Sequence, residues 1–205
     1  MKQQIIIIHG GDAYDTYEEY LSELRKMELT LDRLASKGWK GNLQDDLGDE
    51  FSVLAPRMPN PLNARYIEWK IWFEKIIPFI EEQAILIGHS LGGIFLTKYL
   101  SENEYAKKIK AVLLVAAPYN TPEHHPFVDF TITTPLDKFA KQAGDMIIYH
   151  SKDDNVVPFE NAKRYYKDLP QSKLKIFTDR GHFNEEHFPE IVEEIKKINN
   201  TTSHY

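Results

Sequence analysis

The sequence predicts a three-layer α/β/α domain with about six mostly parallel strands. Short apolar runs without polar alternation recur along the chain, and such runs are typical of strands covered on both faces. Longer segments with helical spacing lie between these runs, which is typical of a parallel sheet with right-handed crossovers. Because ligands of such sheets bind beyond the carboxyl ends of the strands, any motif that directly follows an apolar run is a candidate for function.

The alternation of strands and helices is predicted in detail from the apolar spacing. The predicted strands, in chain order, are residues 5–8, 51–54, 84–87, 111–116, 146–149 and 174–177. The predicted helices are residues 14–35, 66–80, 90–101, 159–167 and 189–198.

Two segments do not fit this alternation. Residues 37–50 are rich in Gly and Asp, and we predict a loop there. Residues 118–144 begin with a proline-rich stretch and are long for a connection in a compact domain. We therefore predict that residues 118–144 form a small lid or loop insertion.

Length and composition limit the classes of protein. The 205 residues suit a single domain spanning residues 1–205, because single cores extend to roughly 250 residues. The net charge of -6 disfavours nucleic acid and acidic membrane surfaces as partners. The chain has no cysteine, which excludes disulfides, thiolate catalysis and cysteine-bound metal. The first apolar run is too short for a membrane span or a signal-peptide core, so we expect a cytoplasmic protein.

The stretch ILIGHSLGG, residues 85–93, contains a G-x-S-x-G pattern centred on Ser90. It follows a predicted strand and precedes a predicted helix, which is the context of a nucleophile elbow. In such an elbow a tight turn exposes the serine hydroxyl, and Gly88 and Gly92 would let strand and helix pack closely. The helix dipole would also stabilise negative charge that develops near Ser90. The alternative is that Gly88 ends a strand and Ser90 merely caps a helix.

The glycine pair Gly10–Gly11 follows the first predicted strand directly. An oxyanion hole needs backbone N–H groups that point at the developing negative charge, and glycine lets the backbone approach closely. One such group usually comes from the residue after the nucleophile, here Leu91, and the other from an early loop. We assign the second to Gly11, with Asp12 as the alternative. A plain turn at the end of the strand would give the same sequence.

Two adjacent aspartates in SKDDNVVP follow the fifth predicted strand. A catalytic histidine needs a carboxylate that orients it and stabilises its positive form. Both residues are also common turn formers, so we assign Asp153 to the turn and Asp154 to the acid. The absence of a glycine at the required place argues against a calcium loop.

His182, in the stretch FTDRGHF, follows the last predicted strand by a short loop. A loop histidine at this edge reaches over the sheet, and an imidazole suits proton transfer. We predict that the competing His187 is a surface residue at the start of the last helix. The stretch HFNEEH matches neither zinc motif of the H-E-x-x-H type. The pair His124–His125 has no apparent third ligand, so we expect no metal site.

The candidate residues occur in the order Ser90, Asp154, His182, which is the order of α/β-hydrolases. The stretches GHSLGG, SKDDNVVP and FTDRGHF together resemble the α/β-hydrolase superfamily. In its compact length the chain is similar to the small serine hydrolases of the retinoblastoma-binding-protein-nine type. The resemblance extends over nearly the whole chain and implies a compact α/β-hydrolase fold with strand order 2-1-3-4-5-6. That order would place the glycine pair beside the serine turn.

The resemblance also implies individual roles. It supports Asp154 over Asp153 as the acid, and Leu91 as an oxyanion donor. The chain departs from larger members because it begins at the strand that leads to the oxyanion loop, without their extra antiparallel strands. Residues 118–144 also exceed what the smallest members carry, and this departure concerns the segment expected near the substrate.

The candidate acyl pocket is formed by Met58 and Phe127. Met58 follows the second predicted strand, and Phe127 lies in residues 118–144 together with Tyr119, Phe130 and Phe139. Apolar and aromatic side chains of this kind line small-molecule sites. The same aromatics would equally serve to anchor the loop to the core.

We therefore expect a serine hydrolase that cleaves a small ester, thioester or amide through an acyl-enzyme. Carboxylesterase activity is the first expectation, and peptidase or amidase activity is the next. The partner is a small-molecule acyl substrate, and the chemistry needs no metal or organic cofactor. Two other functions stay open: a binding module with an idle triad, and an acyltransferase. The oligomeric state is not predicted.

Overall fold

The computed structural model describes residues 2–31, 35–120 and 128–200 and contains one six-stranded sheet. The sheet order is β2-β1-β3-β4-β5-β6, and every neighbouring pair of strands is parallel. Both the predicted fold class and the predicted strand order are therefore confirmed. The strands are β1 (Gln3–Ile8), β2 (Phe51–Leu54), β3 (Ala84–His89), β4 (Ile109–Val115), β5 (Asp145–Ser151) and β6 (Lys173–Phe177).

Helices cover both faces of the sheet, which explains why the central strands are apolar without alternation. The described helices are α1 (Tyr17–Lys26), α2 (Gly38–Leu47), α3 (Tyr66–Ile76), α4 (Leu91–Glu102), α5 (Asp137–Gln142), α6 (Glu160–Asp168) and α7 (Pro189–Asn200). Short 3-10 turns occupy Ile77–Phe79 and Val128–Phe130. Helices α3 to α6 pack on one face, and α2 and α7 pack on the other.

The predicted loop at residues 37–50 is wrong, because most of it forms helix α2. Its buried side chains, Trp39, Leu43 and Leu47, recur every fourth residue and face the sheet. Gly38, at φ 56°, precedes Trp39, and Gly48, at φ 86°, ends the helix. Gly38 and Gly48 therefore mark the two ends of a helix rather than a loop.

Helix α1 is shorter than the predicted helix at residues 14–35. It begins with a capping box, in which the Thr16 hydroxyl accepts from the Glu19 N–H and the Glu19 carboxylate accepts from the Thr16 N–H. It ends at Lys26 because Met27 is extended. Residues 32–34, within the predicted helix, lie outside the described residues.

The predicted insertion at residues 118–144 contains regular structure. Its described part includes the 3-10 turn Val128–Phe130 and helix α5. Tyr119, Phe130 and Phe139 are at most 9% exposed and pack in the core, as expected of aromatics that anchor the segment. Residues 121–127, which include Phe127 and the His124–His125 pair, lie outside the described residues. Within the described ranges, no helix has the length and apolar character needed to cross a bilayer.

Candidate active site

Ser90 forms the turn between β3 and α4, with φ 53° and ψ -125°. Residues with a side chain rarely adopt this backbone conformation, which is typical of strained functional turns. The Ser90 N–H donates to the Val115 carbonyl at 2.8 Å, and its carbonyl accepts from the Gly93 N–H at 2.8 Å. These bonds hold the turn against the sheet. The strand–turn–helix context predicted for Ser90 is therefore present.

Glycines allow the backbone to approach this turn. A Cβ at Gly88 would lie 2.6 Å from the Gly92 carbonyl oxygen, and one at Gly92 would overlap the Ile8 carbonyl oxygen. A Cβ at Gly10 would lie 3.0 Å from the Cβ of Ser90. Helix α4 can therefore begin directly against β1 and β3 only because these positions lack side chains.

His182 lies in the loop after β6, between Gly181 at φ 48° and Phe183 at φ 53°. Its Nδ1 is 2.9 Å from Oδ2 and 3.1 Å from Oδ1 of Asp154. A carboxylate only accepts, so Nδ1 carries the proton and Nε2 of the neutral ring keeps its lone pair. This is the tautomer that a base acting on a serine hydroxyl requires. In the described ranges no hydrogen bond joins Ser90 Oγ to this ring, and such bonds often tighten only when substrate binds.

Asp154 is held from the backbone as well as by His182. Its Oδ1 accepts the N–H groups of Val156 and Val157, each at 2.9 Å. Burial alone raises the pKa of Asp154, but the hydrogen bonds from His182 and these two amides outweigh it and lower the pKa. The carboxylate is therefore charged, oriented and closed to solvent, with a fully buried side chain.

Asp153 contacts the backbone of the loop that carries His182 rather than the imidazole ring. Its Oδ1 accepts from the Ser151 hydroxyl and from the Gly181 N–H, the latter at 3.1 Å. The hydrogen bond from Ser151 is the main reason why the pKa of Asp153 is lowered. Asp153 thus anchors the backbone next to His182, whereas Asp154 contacts the ring itself.

The loop after β1 is oriented by His9. The Met58 N–H donates to His9 Nε2 at 2.8 Å, so Nδ1 carries the proton and donates to the Gly10 carbonyl at 2.6 Å. Because the peptide is trans, this bond turns the Gly11 N–H away from His9. The Asp12 N–H already donates to the Pro61 carbonyl at 2.8 Å.

Leu91 and Met58, two further predicted site residues, lie at the start of α4 and in the core, respectively. Leu91 is the first residue of α4, so its N–H has no acceptor within the helix. Met58 is only 2% exposed and packs in the core beneath the His9 loop.

His187 is exposed on the surface just before α7, as predicted, and its Nδ1 contacts Asp46 at 2.9 Å. Among the described residues, no group of three or more His, Asp or Glu side chains is arranged to hold a metal ion.

Sequence reasoning missed three groups beside the site: His150, His89 and Lys40. His150 is fully buried on β5, and its ring Nε2 lies 2.8 Å from the carbonyl of Val157, in the Asp154 turn. His89 directly precedes Ser90 and contacts both the His182 loop and Lys40. The position of His89 in the motif is a signal that could have identified it. His150 and Lys40 belong to no motif.

The chain resembles known proteins over most of its length. The family described as "Serine hydrolase" matches residues 33–197. Serine hydrolase RBBP9 of Rattus norvegicus is 28% identical over 170 residues, which is 80% of this chain and 88% of that protein. YdeN of Bacillus subtilis (strain 168) is 25% identical over 188 residues, which is 91% of this chain and 88% of that protein.

Solved structures share the fold. The crystal structure of the ydeN gene product from B. subtilis superposes with a TM-score of 0.71 at 20% identity, covering 97% of this chain and 100% of that one. Est1E from Butyrivibrio proteoclasticus superposes with a TM-score of 0.59 at 18% identity, covering 98% and 88%. Because the family match covers more than half of the sequence, the chain belongs to the serine hydrolase family and has an α/β-hydrolase fold.

Proposed function

We propose that the protein hydrolyses small esters through an acyl-enzyme, with Ser90 as nucleophile, His182 as general base and Asp154 as the acid that orients it. One observation carries this proposal. The His182 ring is held through Nδ1 by Asp154 at 2.9 and 3.1 Å, which leaves Nε2 as the proton acceptor, and the strained Ser90 turn lies at the same carboxyl edge of the sheet. This combination matches the roles required of a serine hydrolase triad.

The proposed reaction has two halves. His182 Nε2 takes the Ser90 proton as Oγ attacks the ester carbonyl, and the resulting imidazolium is stabilised by the Asp154 carboxylate. The same ring then protonates the leaving alcohol, which leaves an acyl group on Ser90. Water, deprotonated by His182, attacks this ester, and the acid product departs as Ser90 regains its proton.

The proposed oxyanion hole consists of the N–H groups of Leu91 and Gly11. Two features support this choice. The Leu91 N–H opens helix α4, whose dipole favours negative charge at that end. The bond from Asp12 to Pro61 leaves Gly11 as the better donor of the glycine loop. Loss of one such donor typically costs on the order of 10²–10³-fold in kcat.

The proposed substrate class is a short-chain carboxylic ester, with amides as slower substrates. Met58 is the described candidate for the acyl pocket, and Phe127 is the candidate from residues 121–127. Since Met58 is packed in the core, we expect it to limit the depth of the pocket. A Met58→Ala variant should then shift preference towards longer acyl chains.

The test combines covalent labelling with turnover. Wild-type protein should react with a fluorophosphonate probe and hydrolyse short p-nitrophenyl esters, whereas Ser90→Ala should do neither. Absence of labelling in the folded wild type, or equal labelling of Ser90→Ala, would overturn the nucleophile assignment. Labelling without release of acid from any ester of the series would instead favour acyl transfer or an idle triad.

A further inference from the structure

The imidazole of His89 lies between a lysine and the loop of the proposed base. His89 Nε2 is 2.9 Å from the backbone carbonyl oxygen of His182, and His89 Nδ1 is 3.3 Å from Nζ of Lys40. The residue is 4% exposed, and its ring centroid is 5.0 Å from that of His182. The backbone of His89 continues into Ser90, so one residue connects the nucleophile turn to the histidine loop.

The partners of His89 determine where its proton lies. A carbonyl oxygen only accepts, so Nε2 must carry the hydrogen that bonds to the His182 backbone. An ammonium group only donates, so Nδ1 must offer its lone pair to Lys40. Both bonds are satisfied by a single species, the neutral Nε2–H tautomer. A charged imidazolium would instead present an N–H to the ammonium of Lys40.

We propose that Lys40 and His89 are positioning residues for the base: Lys40 holds His89 as the Nε2–H tautomer, and His89 in turn fixes the backbone of His182. This inference rests on the proposed role of His182. In that mechanism neither Lys40 nor the His89 ring touches the reacting atoms. The two residues act on the position of the His182 ring, which does.

The surroundings of Lys40 favour this role over an ordinary surface charge. Its Nζ lies 5.2 Å from the centroid of the Trp39 ring, and within the described part of the chain no carboxylate lies within 4.0 Å of it. Burial lowers the pKa of Lys40 to about 8. A half-buried ammonium without a counter-ion destabilises a fold, and groups of this kind are more often found where function requires them.

Other hydrogen bonds join α2 to the loop that carries His182, but among the described residues none of these bonds involves His182 itself. Trp39 Nε1 donates to the Phe183 carbonyl at 3.0 Å, and the Trp39 N–H donates to the Glu185 carbonyl at 2.8 Å. Asn42 Nδ2 donates to the Glu186 carbonyl at 2.9 Å. His89 alone among these donors bonds to the carbonyl of the proposed base itself.

The first test removes the cation and keeps the length of the side chain. We expect Lys40→Met to lower kcat on the order of 10²-fold with little change in KM, because a small displacement of a catalytic group has an effect of this size. Thermal unfolding should occur at the same or a higher temperature, since a costly buried charge is lost. The matched control is Lys37→Met, which removes an exposed lysine from the same segment and should retain wild-type kcat.

The second test asks whether Lys40 acts through His89. In His89→Gln the side-chain amide can still donate to the His182 carbonyl. An amide has no second tautomer, so Lys40 has no tautomer to favour. We expect this variant to keep most of the activity and to be insensitive to a further Lys40→Met change, so that the double-mutant cycle is strongly non-additive. Nitrogen NMR of the imidazoles should show His89 as the Nε2–H tautomer in wild type and a changed or mixed tautomer in Lys40→Met.

These measurements separate the inference from the proposed function. Three results would each overturn the inference about Lys40 and His89. They are a wild-type kcat in Lys40→Met, an equal loss of kcat from Lys40→Met in the His89→Gln background, and an unchanged His89 tautomer in Lys40→Met. If folded wild type fails to react with the fluorophosphonate, the proposed function is wrong. The imidazole spectra still test the Lys40–His89 bond in that case.

Discussion

At the residue scale, two adjacent aspartates with the same chemistry have different partners. Asp154 contacts the His182 ring and the amides of its own turn, whereas Asp153 contacts Ser151 and the backbone of Gly181. One carboxylate therefore fixes the tautomer of the ring, and the other fixes the path of the loop. Removing the charge of each should have different consequences.

We expect Asp154→Asn to lower kcat by about 10⁴-fold with the fold intact, because an amide favours the wrong tautomer of the histidine. Asp153→Asn keeps an oxygen that accepts from Gly181, so its kcat should fall much less. Steady-state kinetics on one ester, with circular dichroism as the folding control, compares the two. A larger loss in Asp153→Asn would reverse the assignment of the acid.

At the element scale, the turn between β3 and α4 depends on close packing of the two elements. A Cβ at Gly88 would lie 2.6 Å from both the Gly92 carbonyl oxygen and the Gly93 Cα. These are backbone atoms of the first helical turn, which cannot move without moving Ser90.

We therefore expect Gly88→Ala to destabilise the protein by about 1–3 kcal/mol, as overpacking commonly does. Its kcat should fall as well, because α4 can make room only by displacing Ser90 and Leu91. Urea unfolding and ester turnover measure the two effects. Wild-type stability together with wild-type kcat would show that the turn tolerates a side chain.

Helix α2 is a second element that serves the site, since it bonds to the histidine loop through Trp39. Trp39→Phe keeps a buried ring but leaves the Phe183 carbonyl without its donor, which should cost about 1–3 kcal/mol of unfolding free energy. It should also lower kcat, because the loop that carries His182 loses a hydrogen bond to α2.

The matched control is Ser172→Ala, which removes a hydroxyl that donates to the Leu169 carbonyl at 2.7 Å. This bond lies before β6, at the sheet edge opposite the site, so the control should lose stability without loss of kcat. Equal effects of the two variants on kcat would argue against a role of α2 at the site.

At the scale of the whole molecule, three histidines with restricted solvent access are each bonded to a loop of the site. Their rings contact the carbonyls of Gly10, His182 and Val157, and the three residues are His9, His89 and His150. Burial is the main cause that lowers the pKa of all three. The folded protein therefore holds them neutral where the unfolded chain would bind protons.

The sign of the pH dependence follows from this difference. Below the ordinary histidine pKa of 6.5 the unfolded chain binds more protons, so the unfolding free energy should decrease as the pH falls. Each such histidine contributes a slope of up to about 1.4 kcal/mol per pH unit. The lowered pKa of Asp154 acts in the same direction at lower pH.

Urea unfolding at several pH values between 7.5 and 5 tests this expectation, in steps chosen around the histidine range of about 6.5. His150→Gln keeps a donor for the Val157 carbonyl but cannot titrate, so its stability should depend less steeply on pH. The same slope in wild type and variant would exclude His150 as a contributor.

The strands were predictable because a strand buried on both faces leaves an uninterrupted apolar run, as in β1 and β3. Helix α2 was not, since its stripe of Trp39, Leu43 and Leu47 is interspersed with Gly, Asn and Asp. The positions of Ser90 and His182 after the ends of two strands were predictable from short motifs, and their catalytic roles stay predictions. The contact between Lys40 and His89 was not predictable, because the two residues are distant along the chain.

The sequence by itself determined the six strands, the parallel sheet and the residue types at its carboxyl edge, because periodicity and local motifs act over a few residues. Only the tertiary structure decided which aspartate contacts His182, which tautomer each buried histidine holds, and that Lys40 reaches the loop of the proposed base. Those outcomes depend on hydrogen bonds between elements far apart in the chain. Neighbouring aspartates or lysines have the same chemistry, and only the fold decides which of them reaches the site.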